Sequence, residues 1–401
     1  MQVVAINWHV YLLTHSALAL GFVGLTRVLP VIVFSMWGGL LADRADRRRV
    51  MFTAQSAMTV VSVVLAALAF VRRDSVALIY LLNAIQAAAT SFDNPARQAL
   101  VPRLVPPGDL AGALALNLAM FHTAMIAGPA LAGMLIAGGS APHGPTVAAG
   151  ASETTALGLI YALNAVSFVF VLGALATMRT SGRVAGGGGR ESPREALRSG
   201  LRFVFTSPLM VWTMALDFFA TFFSGAMSLL PIVADQVLHV GASGFGWLAA
   251  APAAGALVGS LYTSVRPLPR RQGVALLWAV GAYGVATIVY GLSRSYVLTV
   301  LALAGTGLAD VVSTVIRQTL RQLITPDELR GRMTAVNMIF FLGGPQLGEL
   351  EAGLVASLFA SATLGVTVSI VSGGVVTLVA TAVVAGATPL VRGYLASSEP
   401  A

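Results

Sequence analysis

Twelve apolar runs, most of them close to the length that a helix needs to cross a bilayer, dominate this sequence. They occupy residues 1–13, 17–42, 50–71, 75–94, 111–137, 157–178, 208–232, 244–264, 274–292, 296–316, 334–360 and 366–388. A transmembrane helix needs about 20 predominantly apolar residues, and its backbone must satisfy its own hydrogen bonds inside lipid. Only 10% of the residues are charged, against about 25% in soluble proteins. The sequence therefore predicts an all-α membrane protein.

The arginines between these runs are concentrated on one side of the predicted membrane. Twenty of the 24 basic residues follow the second, fourth, sixth, eighth and tenth runs or lie in the tail, whereas only Arg72, Arg73 and Arg294 lie on the other side. The positive-inside rule assigns the arginine-rich side to the cytoplasm. The net charge of +8 is therefore interpreted as membrane topology and contact with anionic lipid, not as a nucleic-acid-binding surface. We expect a multi-pass protein of the plasma (inner) membrane with a cytoplasmic C-terminus.

Two residue types are missing, and their absence excludes several chemistries. The chain has no Cys and no Lys, so every basic residue is Arg. Without Cys there are no disulfides, thiolate metal sites or Cys nucleophiles, and without Lys there is no Walker A P-loop and no Schiff base. The histidines show no ligand spacing, and no HExxH motif is present. We expect no enzyme activity, no cofactor and no metal, and an ion gradient as the energy source.

A hydrophilic stretch near the middle of the chain separates two groups of six runs. We predict an N-terminal six-helix half over 1–178, a cytoplasmic linker over 179–207 and a C-terminal half with a short tail over 208–401. The linker contains Gly186–Gly189, which is flexible by composition. Its end places apolar residues at helical spacing opposite Arg198 and Arg202, which is typical of an amphipathic helix on the cytoplasmic surface.

Short segments recur in the second half at an offset of 220 residues. The recurring pairs are Arg97–Leu100 with Arg317–Leu320, Gly39 with Gly259, and Asn117 with Asn337. Both halves carry these features at corresponding loops, which indicates that the second half duplicates the first. Parallel six-span repeats that flank a midplane site are typical of a transporter.

The loop after the second run carries a more specific pattern. Its matching residues are Gly39, Asp43, Arg44, Arg47 and Arg48, while Asp46 stands where the general pattern has Gly. This loop resembles the signature of the major facilitator superfamily. The segments 92–106 and 343–353 resemble its enterobactin-exporter and transmembrane secretion effector branch. The resemblance implies the major facilitator fold of two six-helix halves, and an alternating-access mechanism.

The same resemblance implies a cytoplasmic gate. Asp43 is expected to pair with an arginine at the end of the fourth span, for which Arg97, after Asp93, is the candidate. The alternative is a solvated loop that only determines topology. In the fifth span, Gly128 and Pro129 resemble a reduced form of the exporters' antiporter motif, although a plain packing kink would have the same sequence.

Besides Asp93, which lies at the end of the fourth span, five charged residues lie inside predicted spans, where a charge is costly and marks a candidate functional site. They are Arg27, Asp217, Asp310, Glu349 and Glu351. A low-dielectric environment favours the protonated carboxyl, so these acids are candidates for proton or substrate coupling. The alternatives are structural: a hydrogen bond to a neighbouring helix for Asp217 and an ion pair for Arg27. Glu349 and Glu351 point about 200° apart on a helix, so only one of them is expected to face a cavity.

These observations predict a secondary active transporter that exports a small amphipathic or siderophore-like molecule by proton coupling. Its expected partners are the substrate, protons and lipid, and it is expected to be a monomer. Two alternatives remain: an importer on the same scaffold, and a transporter-like sensor or assembly protein that transports nothing. The latter arises because the first run has only 13 residues, about 20 Å of helix against about 30 Å of hydrocarbon. We therefore expect an incomplete first helix.

Overall fold

The computed structural model describes residues 1–100, 104–106, 109–139, 149–178, 193–266, 269–326 and 329–394, and these residues form helices and connecting turns without a strand. The helices of the first half of the chain are α1 (Gln2–Thr14), α2 (Ala17–Arg44), α3 (Arg47–Val71), α4 (Val76–Leu100), α5 (Leu110–Gly139) and α6 (Ala149–Thr177). The others are α7 (Pro193–Thr206), α8 (Pro208–Phe223), α9 (Leu230–Ile232), α10 (Gly241–Val265), α11 (Gln272–Leu292), α12 (Tyr296–Ile324), α13 (Arg330–Ser357), α14 (Ala362–Ala387) and α15 (Pro389–Arg392).

Each predicted apolar run coincides with a helix, and the all-α prediction is confirmed for the described residues. Within the described ranges, ten helical stretches are long and apolar enough to cross a membrane. The stretch Pro208–Val237 is broken, because a 3-10 turn, α9 and a π turn follow α8. Both α4 and α12 continue beyond their apolar runs, to Leu100 and Ile324, since a helix tolerates charged side chains where it leaves the hydrocarbon.

The chain divides into two compact units. Unit 1 comprises Met1–His15, Phe22–Pro193 and Gly241–Gly246. Within it, α3 packs against α4 and α6, and α1 packs against α4, α5 and α6. Asp46 caps the N-terminus of α3, because its carboxylate accepts a hydrogen bond from the Arg48 amide at 3.0 Å. Most of α1 is buried, including Ile6, Val10 and Tyr11.

Unit 2 comprises Ser16–Gly21, Arg194–Val240 and Trp247–Ala401. Here α11 packs against α12 and α14, while α8 packs against α13 and α14. The helices approach one another closely at glycines. A Cβ atom at Gly307 of α12 would lie 1.8 Å from the Pro252 carbonyl oxygen of α10, so only glycine allows this contact.

The helix predicted at the end of the linker is present as α7. Arg198 and Arg202 are exposed on it, and Val204 is buried in a cluster with Met210 and Met333. The amphipathic pattern therefore describes its packing within unit 2. Its place on the cytoplasmic surface stays a prediction.

Candidate functional site

A buried ion pair in unit 2 joins α8 to α12. Arg317 Nη2 lies 2.7 Å from Asp217 Oδ1, and the exposed fractions of the two side chains are 2% and 6%. Arg317 also donates a hydrogen bond to Thr314 Oγ1, one helical turn earlier, at 2.9 Å. Asp217 lies on the face of α8 that is buried against the rest of the unit. Asp217 therefore makes an ion pair between α8 and α12, and its role in proton or substrate coupling stays a prediction.

Asp310 is the second acid beside Arg317, but it is held less closely. Its Oδ1 lies 3.9 Å from Arg317 Nη2, and its side chain is 40% exposed. Asp217, Tyr283, Asp310 and Arg317 line a common cavity of about 10 Å³, which has room for about one water molecule. The Arg317 guanidinium therefore contacts both carboxylates, that of Asp217 closely and that of Asp310 at a longer distance.

A second buried arginine lies one turn further along α12. Arg321 donates a short hydrogen bond to Asn337 Oδ1 of α13, and its side chain is almost completely buried. In the described part of the chain, Arg317 Nε and Arg321 Nε are buried without a hydrogen-bond partner. The cluster of Asp217, Asp310, Arg317 and Arg321 is called the charge cluster below.

The other in-membrane candidates lie outside the charge cluster. Glu349 is 8% exposed on α13, and its carbonyl oxygen accepts a hydrogen bond from Ser228 at 3.4 Å. Glu351 is half-buried, so the two glutamates differ in burial. Arg27 is half-buried on α2, and the described residues include no carboxylate within ion-pair distance of it. The assignment of coupling roles to these three residues stays a prediction.

In unit 1, the residues of the predicted gate make contacts at the ends of helices. The buried carboxylate of Asp93 accepts a hydrogen bond from Gln55 at 2.9 Å and pairs with Arg97, one turn along α4. Asp43, Arg44 and Gly39 belong to α2, but their side chains lie outside the described part of the structure. The pairing of Asp43 with Arg97 therefore stays a prediction, and the pairing of Arg97 with Asp93 is what the structure shows.

Arg47 and Arg48 each bind the end of another helix. Arg47 Nη1 donates to the Ala99 carbonyl at the end of α4 at 2.9 Å, and Arg48 Nη2 donates to the Ala176 carbonyl at the end of α6 at 2.7 Å. Cations at helix C-termini satisfy free carbonyls and interact favourably with the helix dipole. Arg47 and Arg48 of the signature thus connect the start of α3 to the ends of α4 and α6.

The reduced antiporter motif lies inside α5, which continues through Pro129. A Cβ atom at Gly128 would lie 3.0 Å from the Met1 backbone nitrogen. Glycine at this position therefore allows Met1 to approach α5 closely, as either an antiporter motif or a plain packing kink would.

Sequence reasoning missed a polar cluster around His9. This side chain is fully buried on α1 and contacts Tyr161 of α6 and Asp74 of the α3–α4 loop. The three residues are far apart in sequence and share no spacing, so no sequence pattern brings them together. The one available signal is a histidine inside the first apolar run, which also contains Gln2 and Asn7.

The architecture agrees with that of solved transporters. A POT family transporter in complex with 5-aminolevulinic acid is 12% identical, with a TM-score of 0.71 over 97% of this chain and 93% of that one. A D-xylose–proton symporter is 14% identical, with a TM-score of 0.68 over 95% of this chain and 90% of that one. At these identities the likeness shows the fold alone, which this chain shares with the two solved proteins.

Relatives in sequence identify the family of this chain. A family model described as transmembrane secretion effector matches residues 1–393, so the chain belongs to that family. The enterobactin exporter EntS of Shigella boydii is 28% identical over 365 residues, which cover 90% of this chain and 83% of the relative. The protein of the same name from Escherichia coli O81 matches equally well. The predicted branch is confirmed, and the relatives are transporters rather than enzymes.

Proposed function

We propose that this protein is a proton-coupled exporter of the inner membrane that moves a small amphipathic or siderophore-like molecule. It works by alternating access between two six-helix halves, residues 1–178 and 208–401, with the linker 179–207 and the C-terminus in the cytoplasm. This arrangement requires α1 and α13 to be spans together with the ten apolar stretches. The exporter relatives support the direction, and the missing Lys of a P-loop supports a gradient as the energy source.

The charge cluster is the observation that carries proton coupling. Arg317 lies at hydrogen-bonding distance from Asp217 but 3.9 Å from Asp310. Its positive charge therefore compensates the charge of Asp217 more strongly than that of Asp310. Arg321 donates to Asn337 instead. Asp310 is therefore only weakly compensated, which is costly for a carboxylate in an apolar bundle, and adding a proton removes this cost. Asp310, the more exposed acid, is therefore the proposed proton carrier, and Asp217 is the counter-ion of Arg317.

Exchange of Arg317 between the two acids is the proposed coupling step. While Asp310 holds a proton, Arg317 stays with Asp217 and joins α8 to α12. When Asp310 releases its proton, its carboxylate competes for the same guanidinium and weakens that connection. The two protonation states thus favour different packings of α8, which is what a population shift between two conformations requires.

Aromatic side chains on α8 and α13 support an amphipathic substrate. The Phe218 ring stacks on Phe222 at 5.5 Å and meets the edge of Phe340 at 6.1 Å. All three rings are partly exposed, so they offer faces on which an aromatic or apolar group can stack. An aromatic siderophore or a compound of similar character fits such a surface.

The decisive experiment is transport into inverted membrane vesicles with an imposed proton gradient, with enterobactin as the first probe. Wild type is expected to accumulate the probe against its concentration gradient and to release protons while doing so. Asp310→Asn is expected to equilibrate the probe without accumulating it, and Asp217→Asn to transport slowly because Arg317 loses its partner. Asp235→Asn, which replaces an exposed acid of the same unit, is the matched control and is expected to behave as wild type.

Other outcomes separate the alternatives. Accumulation without a gradient, or full coupling in both aspartate variants, would overturn the assignment of the charge cluster. If Glu349→Gln or Glu351→Gln alone uncouples transport, the proton carrier lies on α13. Uptake in the opposite direction favours an importer. The absence of flux for a panel of siderophores and amphipathic compounds favours a protein that does not transport.

A further inference from the structure

The helix α7 carries a groove that the proposed function does not use. The groove has a volume of about 530 Å³, and its described lining comes from α7 itself. The lining residues are Arg198, Ser199, Leu201, Arg202 and Phe205. They define what is called the linker groove below. Two guanidinium groups thus lie beside two apolar side chains, which is a combination suited to a ligand with an anionic end and an apolar end.

The linker groove occupies a different face of α7 from the one that attaches the helix to unit 2. A helix turns by about 100° per residue, so the two arginines, Leu201 and Phe205 share an arc of about 100°. Val204 lies outside this arc, is 2% exposed and belongs to a buried cluster with Met210. Phe205, the next residue, is 63% exposed. The attachment of α7 therefore leaves the linker groove open.

The arginines of the linker groove have no counter-charge in the described part of the chain. Arg198 and Arg202 are exposed, and neither forms an ion pair or a hydrogen bond with the described residues. They lie four residues apart, and like charges at this spacing destabilise a helix. By sequence, the charged residues of α7 are Arg194, Glu195, Arg198 and Arg202, so the helix is basic overall. An anion between Arg198 and Arg202 would remove their repulsion.

The place of α7 in the chain puts the linker groove beside the membrane. One residue, Ser207, separates α7 from α8, and α8 begins a stretch that is apolar enough to cross a membrane. Phe205 lies close to this stretch, whereas Arg198 lies seven residues earlier, about 10 Å further along the helix. A phospholipid has the same order, because its phosphate lies outside its acyl chains. Arginines next to a membrane-spanning helix also favour anionic lipid.

We propose that the linker groove binds an anionic phospholipid of the adjoining leaflet. Arg198 and Arg202 bind its phosphate, for which the planar guanidinium is well suited. Leu201 and Phe205 contact the start of an acyl chain. The bound lipid holds α7 at the membrane surface beside α8. The site shares no residue with the charge cluster, and the inference does not depend on the proposed function.

The test uses a single fluorescent label next to the linker groove. The chain has no Cys, so Thr206→Cys, at an exposed residue at the end of α7, places one bimane group there in the full-length protein. The labelled protein is reconstituted into phosphatidylcholine nanodiscs that contain a small fraction of brominated lipid, which quenches bimane on contact. Brominated phosphatidylglycerol is expected to quench more strongly than brominated phosphatidylcholine, by about fivefold in lipid preference for each arginine.

Variants in the labelled protein separate a built site from a general effect of charge. Arg198→Gln/Arg202→Gln is expected to lose the preference for phosphatidylglycerol. Arg270→Gln/Arg271→Gln is the matched control and is expected to keep it, because it removes the same charge from an exposed pair on the same predicted side. Phe205→Asn is expected to weaken quenching by both lipids. Helix content, measured by circular dichroism, is expected to be the same in all variants, because each replaces an exposed side chain.

Three results would overturn the proposal. The first is a preference that persists in Arg198→Gln/Arg202→Gln. The second is an equal loss in Arg270→Gln/Arg271→Gln, which would indicate the overall charge of the protein. The third is loss of the preference on addition of inorganic phosphate at millimolar concentration, which would indicate a site for a free anion. Failure of export in vesicles would leave these measurements unaffected, because they record lipid contact at equilibrium.

Discussion

Replacing Arg317 by methionine is expected to destabilise unit 2 strongly. The guanidinium lies 2.7 Å from the Asp217 carboxylate, and both side chains are almost completely buried, so solvent screens the pair little. With an effective dielectric constant of about 20, the gross Coulomb attraction at this distance is ~6 kcal/mol. Desolvation offsets part of it, and removal of one member of a buried pair typically costs about 3–5 kcal/mol. Methionine keeps most of the volume of the arginine side chain, so the measured loss of stability reports the missing charge.

The chain contains a matched control at the equivalent position of the first repeat. Arg97 also pairs with an aspartate, but its side chain is 49% exposed. Asp93 keeps the hydrogen bond from Gln55 when Arg97 is removed. Because Arg97 is half exposed and Asp93 keeps one hydrogen-bond donor, Arg97→Met is expected to cost less than Arg317→Met.

The assay is unfolding by SDS in mixed micelles at neutral pH, with helix content as the readout. Adding Asp217→Asn to Arg317→Met removes the uncompensated carboxylate, so the double variant is expected to recover much of the stability. The reasoning is refuted if Arg317→Met costs no more than Arg97→Met. It is also refuted if the costs of Arg317→Met and Asp217→Asn simply add, because the two residues would then not interact.

Two further predictions concern helix packing, and both are measured as the Tm of purified protein. Gly307→Ala is expected to cost about 1–3 kcal/mol, because the new Cβ would lie 1.8 Å from a backbone oxygen of α10. Gly305→Ala, whose Cβ would find its nearest atom at 3.6 Å, should be nearly neutral, and equal effects would contradict the packing argument. Arg48→Met is expected to cost roughly 0.5–1 kcal/mol, because it removes the charge at the end of α6. Arg49→Met, at an exposed side chain, should leave the Tm unchanged. A fall in Tm equal to that of Arg48→Met would indicate a general effect of charge.

The helices themselves follow from the order of residues along the chain. Apolar runs of about 20 residues must become helices in lipid, because a single segment can satisfy its backbone hydrogen bonds there only as a helix. The predicted run 296–316 nevertheless becomes a helix that ends at Ile324. Its last turns carry Arg317 and Arg321, which a hydropathy window excludes, but whose side chains find partners inside unit 2. Boundaries were therefore less predictable than the existence of the helices.

The acids of the candidate site were predictable from the sequence, but its arginines and its contacts were not. In-membrane acids are rare enough for Asp217 and Asp310 to stand out in the sequence. Arg317 looked instead like a residue of a cytoplasmic loop, because it follows the end of an apolar run. Only the packing of α8 against its neighbours reveals that Arg317 points back into the unit and binds an acid 100 residues earlier.

By itself, the sequence determined that the chain is a polytopic helical membrane protein, how its arginines are distributed, and to which transporter family it belongs. The first two properties depend on composition and on spacing along the chain, and the family is recognised by the segments that resemble it. The tertiary structure decided which buried charges meet: Asp217 with Arg317, and His9 with Asp74 and Tyr161. The physical reason is that hydropathy requires a helix to lie in lipid but is insensitive to its rotation about its own axis. That rotation is set by close packing against neighbouring helices, and it determines where every polar side chain points.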